Sequence, residues 1–178
     1  RQTEQIPGEV FTIGQKIKIY ISEVNREARG PLITISRAHP GLVRRMFELE
    51  VPEITEGTVI IKGVAREAGS RTKLAVMSRD ENVDPVGACI GNKGIRINTI
   101  LEELAGEKVD IVRYSENMDE YISAALAPAD IKKVVMLDER TAQITVAADQ
   151  LSLAIGREGQ NARLAARLTG CKVDIKAE

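Results

Sequence analysis

The sequence predicts an α+β fold in which a short all-β segment precedes two copies of one α-β-β-α-α-β unit. Two observations lead there. The phrase Ile90-Gly91-Asn92-Lys93-Gly94 returns further along as Ile155-Gly156-Arg157-Glu158-Gly159. Each copy also has the same surroundings: an Asp at a fixed distance upstream (Asp84, Asp149), and a downstream run in which Gly106-Glu107-Lys108-Val109-Asp110-Ile111 is answered by Gly170-Cys171-Lys172-Val173-Asp174-Ile175. A lone Gly-x-x-Gly is a weak signal, because glycine is common. Two of them in register with their context mark a structural repeat.

The elements follow in chain order. Residues 15–21 alternate polar and apolar side chains and residues 31–36 do so less cleanly, which predicts two strands with a turn at Arg29-Gly30. A helix is predicted over 41–49, strands over 58–65 and 73–78, and, in the second copy, a helix over 119–127 with strands over 132–137 and 142–147. Asp84 and Asp149 are suited to cap a short helix running into each Gly-x-x-Gly, and Pro85 suits the first helical position. After the first turn, Ile97, Ile100, Leu101 and Leu104 fall at i, i+3, i+4 and i+7, the stripe of a core-packed helix, and Gly106 is placed to stop it. A strand over 108–113 closes the unit. Residues 115–118 alone separate it from the second copy, which is too short for independent tumbling.

Between the paired helices the glycines remove Cβ atoms and allow another backbone to approach, while the free N–H groups opening the second helix favour an anion. A sugar-phosphate backbone meets both conditions. Helix, Gly-x-x-Gly, helix and strand, preceded by two strands, resembles a KH domain in the bacterial (type II) arrangement, whose loop clamps about four nucleotides of single-stranded RNA. The segment running into Ser36-Arg37-Ala38-His39-Pro40 resembles the last strands of an S1 domain, an OB-type β-barrel that commonly binds oligonucleotides.

Three runs are more specific: Glu50-Val51-Pro52-Glu53-Ile54, Arg66-Glu67-Ala68-Gly69-Ser70-Arg71-Thr72-Lys73 and Val83-Asp84-Pro85-Val86-Gly87-Ala88-Cys89-Ile90-Gly91. Together they resemble the NusA family of transcription factors, and the resemblance covers nearly everything after Leu32. It implies the RNA-binding portion of a bacterial transcription elongation factor. Such a factor binds nascent single-stranded RNA and RNA polymerase, with other antitermination factors as further partners, and modulates pausing, termination and antitermination. The resemblance divides the chain into a C-terminal part of an S1 domain (1–38, a partial OB-type β-barrel), a first KH domain (41–114) and a second (119–178). About 40 residues are too few to close the barrel and no Met opens the chain, so a piece of a longer protein is expected.

The expected RNA-binding residues of the first copy are Ile90, Gly91, Asn92, Lys93, Gly94, Arg96 and Ile97. Those of the second are Ile155, Gly156, Arg157, Glu158, Gly159, Arg163, Arg167 and Lys172. Lys93 and Arg96 flank the first turn. Arg163 and Arg167 share a helix face at i, i+4, where two readings stand: contact with RNA phosphates, or solvation and contact with the neighbouring unit. Glu102, Glu103 and Glu107 are expected to face solvent. Aromatic content is only 3%, so bases must be met by aliphatic grooves and backbone hydrogen bonds more than by stacking. Ile90, Ile97 and Ile155 either line such grooves or pack in the core. Phe11 and Tyr20 either stack on bases or fill the barrel interior.

A net charge of -1 argues against capture of nucleic acid by bulk attraction and leaves local basic strips. Enzyme chemistry is not expected. The single His39 precedes Pro40 in a connector suited to capping, and no G-K-[ST] accompanies the glycine pairs. Asp110 and Asp174 hold equivalent places in the repeats, which fold explains better than an acid-base pair. Cys89 and Cys171 lack C-x-x-C spacing and read as small buried residues, so no metal site, disulfide or cofactor is implied. Without a long apolar run or a secretory signal pattern, a cytoplasmic protein with no membrane partner is expected. Two alternatives remain at this level, an RNA-processing enzyme with appended RNA-binding domains and a ribosome-associated KH protein. The first normally places a single KH before S1; the second would carry a long basic tail.

Overall fold

The computed structural model describes residues 1–27, 29–30 and 32–178. Its N-terminal part is a two-stranded antiparallel ribbon, β1 (Tyr20–Val24) and β2 (Ile33–Ser36). The predicted first strand is therefore displaced toward the C-terminus. Residues 15–19 alternate as a strand should but have no ladder partner among the described residues, and alternation alone does not make a strand without a neighbour. Pro31, where the second strand was predicted to begin, lies outside the described residues. Tyr20 neither fills a barrel nor stands free. It stacks on His39 with centroids 4.7 Å apart and leans on the core of the next unit, while Phe11 stays exposed.

The first α-β-β-α-α-β unit begins with α1 (Pro40–Glu50), whose entry is fixed by Pro40 and by His39 Nδ1, which accepts from the Gly41 N–H at 2.8 Å. Leu42, Val43, Met46 and Phe47 put one face of α1 into the core. A single turn, α2 (Pro52–Thr55), leads to β3 (Val59–Glu67) and β4 (Arg71–Ser78), which pair antiparallel. Next come α3 (Pro85–Ile90), α4 (Ile95–Glu103) and β5 (Lys108–Arg113), the last parallel to β4. Asp84 Oδ1 accepts from the Val86 N–H as predicted. The end of α4 departs slightly from expectation: Leu104 is its C-cap, and Ala105 and Gly106 both take left-handed φ values before the chain turns into β5.

The second unit repeats the plan with α5 (Met118–Ala125), β6 (Lys133–Asp138), β7 (Thr141–Val146), α6 (Leu151–Ile155), α7 (Gln160–Thr169) and β8 (Lys172–Ala177). Its sheet has the same order and the same pattern of one antiparallel and one parallel pairing. Asp149 does not cap α6. A 3-10 turn over Ala148–Gln150 takes that place, with Asp149 inside it, and no side-chain capping bond is made.

One core lies inside the first unit, among α1, β3, β4, α3 and α4. The second is shared between units: Ala75 of β4 and Val112 of β5 are buried with Tyr121, Ile122, Leu126, Ile144 and Ala165. This is why Thr72 to Val76 is buried at every residue, unlike a half-exposed strand. Leu74 and Val76 face the helices of their own unit, while Lys73 and Ala75 face α5 and α7 of the next. Gly63 permits the approach, since a Cβ there would meet Leu168 Cδ1 at 3.3 Å. The corresponding outer face of the second sheet is open. Ala75 pairs with Val112 in the first sheet; at the same register the second has Thr145 paired with the exposed Lys176.

Polar groups complete the junction. Lys73 has a fully buried side chain whose Nζ donates to Asp110 Oδ2 at 2.9 Å and to the Ala127 carbonyl, in the second unit, at 3.1 Å. Burial pulls its pKa below the ordinary lysine value against the opposing pull of Asp110. Glu107 corrects the expectation of solvent exposure. Its carboxylate is fully buried and accepts from Arg66 Nε and Nη2, the Gly69 N–H and Thr72 Oγ1, while Arg66 Nη1 donates to the His39 carbonyl.

Candidate nucleic-acid interface

The two Gly-x-x-Gly loops have one backbone. Gly91 sits at φ 78°, ψ 172° and Gly156 at φ 79°, ψ 170°; Gly94 and Gly159 are both at φ 75°. The third loop residue is left-handed without being glycine, Lys93 at φ 54°, ψ 28° and Glu158 at φ 55°, ψ 26°. That conformation costs a residue with a Cβ about 1–2 kcal/mol, so both loops are held by their surroundings and are not relaxed turns.

The holding contacts occupy one place in the repeat. Arg96 in the first copy and Asn161 in the second lie the same distance past the first glycine and reach back to the end of the preceding helix. Arg96 Nη1 donates to the Ala88 carbonyl at 2.7 Å and to Glu53 Oε2 at 2.8 Å. Asn161 Nδ2 donates to the carbonyls of Leu126, Leu153 and Ala154 at 2.9, 3.3 and 3.0 Å. The first glycine is required by this crossing as well as by its φ, because a Cβ at Gly91 or Gly156 would lie 2.7 Å from Arg96 Cγ or from Asn161 Cβ.

The structure separates the expected site residues into groups. Asn92, Lys93, Arg157 and Glu158 are exposed on the loops, and Ile90 and Ile155, 38% and 37% exposed, stand just before them. Ile97 leans on the core and offers only part of its surface. Arg96 is committed to its pair with Glu53. Arg163 is committed across the junction, its Nε and Nη2 donating to both carboxylate oxygens of Glu67. Arg167 and Lys172 are exposed but sit at the other end of α7, whose 10 residues span about 15 Å, so the basic strip is not gathered at the loop. Two exposed apolar neighbours escaped the sequence reading, Ile95 beside the first loop and Leu153 before the second. Nothing in their spacing distinguished them from core positions.

This geometry offers two exposed loops, each with N–H groups opening a helix, an aliphatic residue at its edge and one exposed base, Lys93 or Arg157. Residues 37–114 match the NusA-like first KH domain and residues 118–178 the NusA-like second KH domain. The chain belongs to the NusA family. The transcription termination/antitermination protein NusA of Halalkalibacterium halodurans is 56% identical over 177 residues, which cover 99% of this chain and 46% of that protein. The NusA of Bacillus subtilis is 52% identical over 176 residues, covering 98% and 47%. That of Mycobacterium tuberculosis is 50% identical over 177 residues, covering 98% and 51%. The chain thus spans about half the length of the NusA relatives it matches. A crystal structure of APE1850 aligns with 76% of this chain and 95% of its own at a TM-score of 0.55 and 20% identity, a likeness of fold. Among the described residues no helix is long and apolar enough to cross a membrane.

Proposed function

We propose that this chain binds single-stranded RNA along a path crossing both Gly-x-x-Gly loops, as the RNA-binding portion of a transcription elongation factor. In that role it meets nascent transcript and RNA polymerase and takes part in pausing, termination and antitermination, in keeping with the termination/antitermination names of its NusA relatives. The proposed division is an S1 remnant over 1–38 and KH domains over 41–114 and 119–178. The observation that carries the reading is that two loops with the same strained backbone are joined through one shared core. Rigid joining gives the second contact a high effective concentration once the first has formed. Phosphates are met by loop N–H groups, Lys93 and Arg157, and bases by the edges of Ile90 and Ile155.

The test is Asn92→Asp with Lys93→Asp, which removes one positive charge and adds two negative ones on an exposed turn. The affinity for an oligonucleotide of about ten nucleotides falls by tenfold or more, while the melting temperature stays within about 2 °C. Unchanged binding in a folded variant removes this loop from the RNA path.

A further inference from the structure

Of the two readings the sequence left for Arg163, contact with RNA phosphates or with the neighbouring unit, the structure shows the contact with the neighbouring unit. Nε and Nη2 donate to Glu67 Oε2 and Oε1 at 3.2 and 2.6 Å, and Nη1 donates to the Glu158 carbonyl at 3.1 Å. Glu67 ends β3 in the first unit; Glu158 is the left-handed residue of the second loop. One planar guanidinium therefore joins that loop to the β3–β4 hairpin of the other unit. Alongside it Gln160 Nε2 donates to Ser70 Oγ at 2.7 Å, across a cleft of about 430 Å³. Asn98 stands at the same place after Gly94 and makes no side-chain hydrogen bond among the described residues, so the device belongs to the second loop alone.

We infer that Arg163 is a positioning residue that fixes the second loop to the first unit and thereby sets the spacing of the two loops for a single strand of RNA. The inference rests on the RNA-binding reading above. A guanidinium with all three nitrogens engaged and a carboxylate against it is a poor phosphate ligand. Its fork geometry, which Lys lacks, suits it to holding two backbones in register.

Glu67→Ala in the full chain separates the possibilities, because the two roles give opposite signs. A positioning role predicts that, without RNA, amide hydrogen exchange at 156–159 quickens by about tenfold. It also predicts that affinity for an oligonucleotide of about ten nucleotides falls about fivefold while that for one of about four is unchanged. Glu67→Asp, which keeps a carboxylate for the guanidinium and leaves the Arg163 bond to the Glu158 carbonyl in place, changes exchange and long-oligonucleotide affinity less than Glu67→Ala does. A phosphate-binding Arg163 predicts the reverse: Glu67→Ala frees the arginine and removes a negative charge, so both oligonucleotides bind more tightly and exchange is unaltered. That result, or unaltered exchange with unaltered affinity, overturns the inference and leaves RNA binding standing. Quickened exchange in a protein whose unmutated form binds neither oligonucleotide overturns the RNA reading and leaves the latch standing.

Discussion

Cys89 has no accessible surface and lies in α3, one residue before the Ile90 that flanks the first loop. Burial pushes its thiol up to about 12 from an ordinary 9.0. Because the folded value is the higher one, the contribution to stability is complete below pH 9 and is lost as pH rises toward 12. The loss reaches at most about 1.4 kcal/mol per pH unit. Lys73 acts oppositely, since its folded pKa lies below 10.5 and stability gains with pH between those values. Urea midpoints from pH 8 to 11 should fall less steeply for Cys89→Ala than for the unmutated chain, and parallel curves would count against this assignment. Single residues also mark where the sequence could be read. Gly91 and Gly156 announce their loops because their constraint is local backbone geometry. Arg163 and Glu107 give no such notice, since their partners stand 96 and 41 positions away and only the folded chain brings them together.

At the scale of elements, the pair of Arg66 and Glu107 ties β3, the β3–β4 turn, β4 and the entry to β5 to the connector before α1. Every hydrogen bond of this cluster is made inside the protein, so removing one partner strands the other charge out of water. Glu107→Ala is expected to cost about 3–5 kcal/mol of unfolding free energy by chemical denaturation, against less than about 0.5 for the exposed Glu102→Ala. Equal effects would place Glu107 among the solvated acids, where its flanking residues suggested it belonged. Helices and strands with a packed face were legible, since α4 and β5 are written in apolar spacing and punctuated by Gly106. The ribbon was less so: Lys16 to Ile19 has the alternation of a strand and no strand partner among the described residues, and pattern does not report the presence of a neighbour.

For the whole molecule, the decisive feature is that Ala75 and Val112 of the first unit belong to the core of the second. Residues 37–178 should therefore melt as one body, with calorimetric and van't Hoff enthalpies equal within error. Ala75→Glu places a charge in that shared core and should divide the melt into two transitions. A divided melt in the unmutated chain would show the units to be energetically separate. The repeat itself was plain in the sequence, but its stacking was not, because Thr72 and Lys73 make the stretch up to Val76 read as a strand with one wet face until the second set of helices is seen above it.

That stacking is head to tail: helices of one unit cover the sheet of the unit before it. A head-to-tail contact of this kind, repeated between molecules, is what builds rings or open filaments. The next sheet differs from the first in one row of side chains, where Thr145 and Lys176 stand in place of Ala75 and Val112. A third set of helices arriving there would have to strip water from the Lys176 ammonium and from Asp174, both exposed on that face of β8. The second sheet therefore turns a charged, hydrated face outward where the first turns an apolar one toward its neighbour.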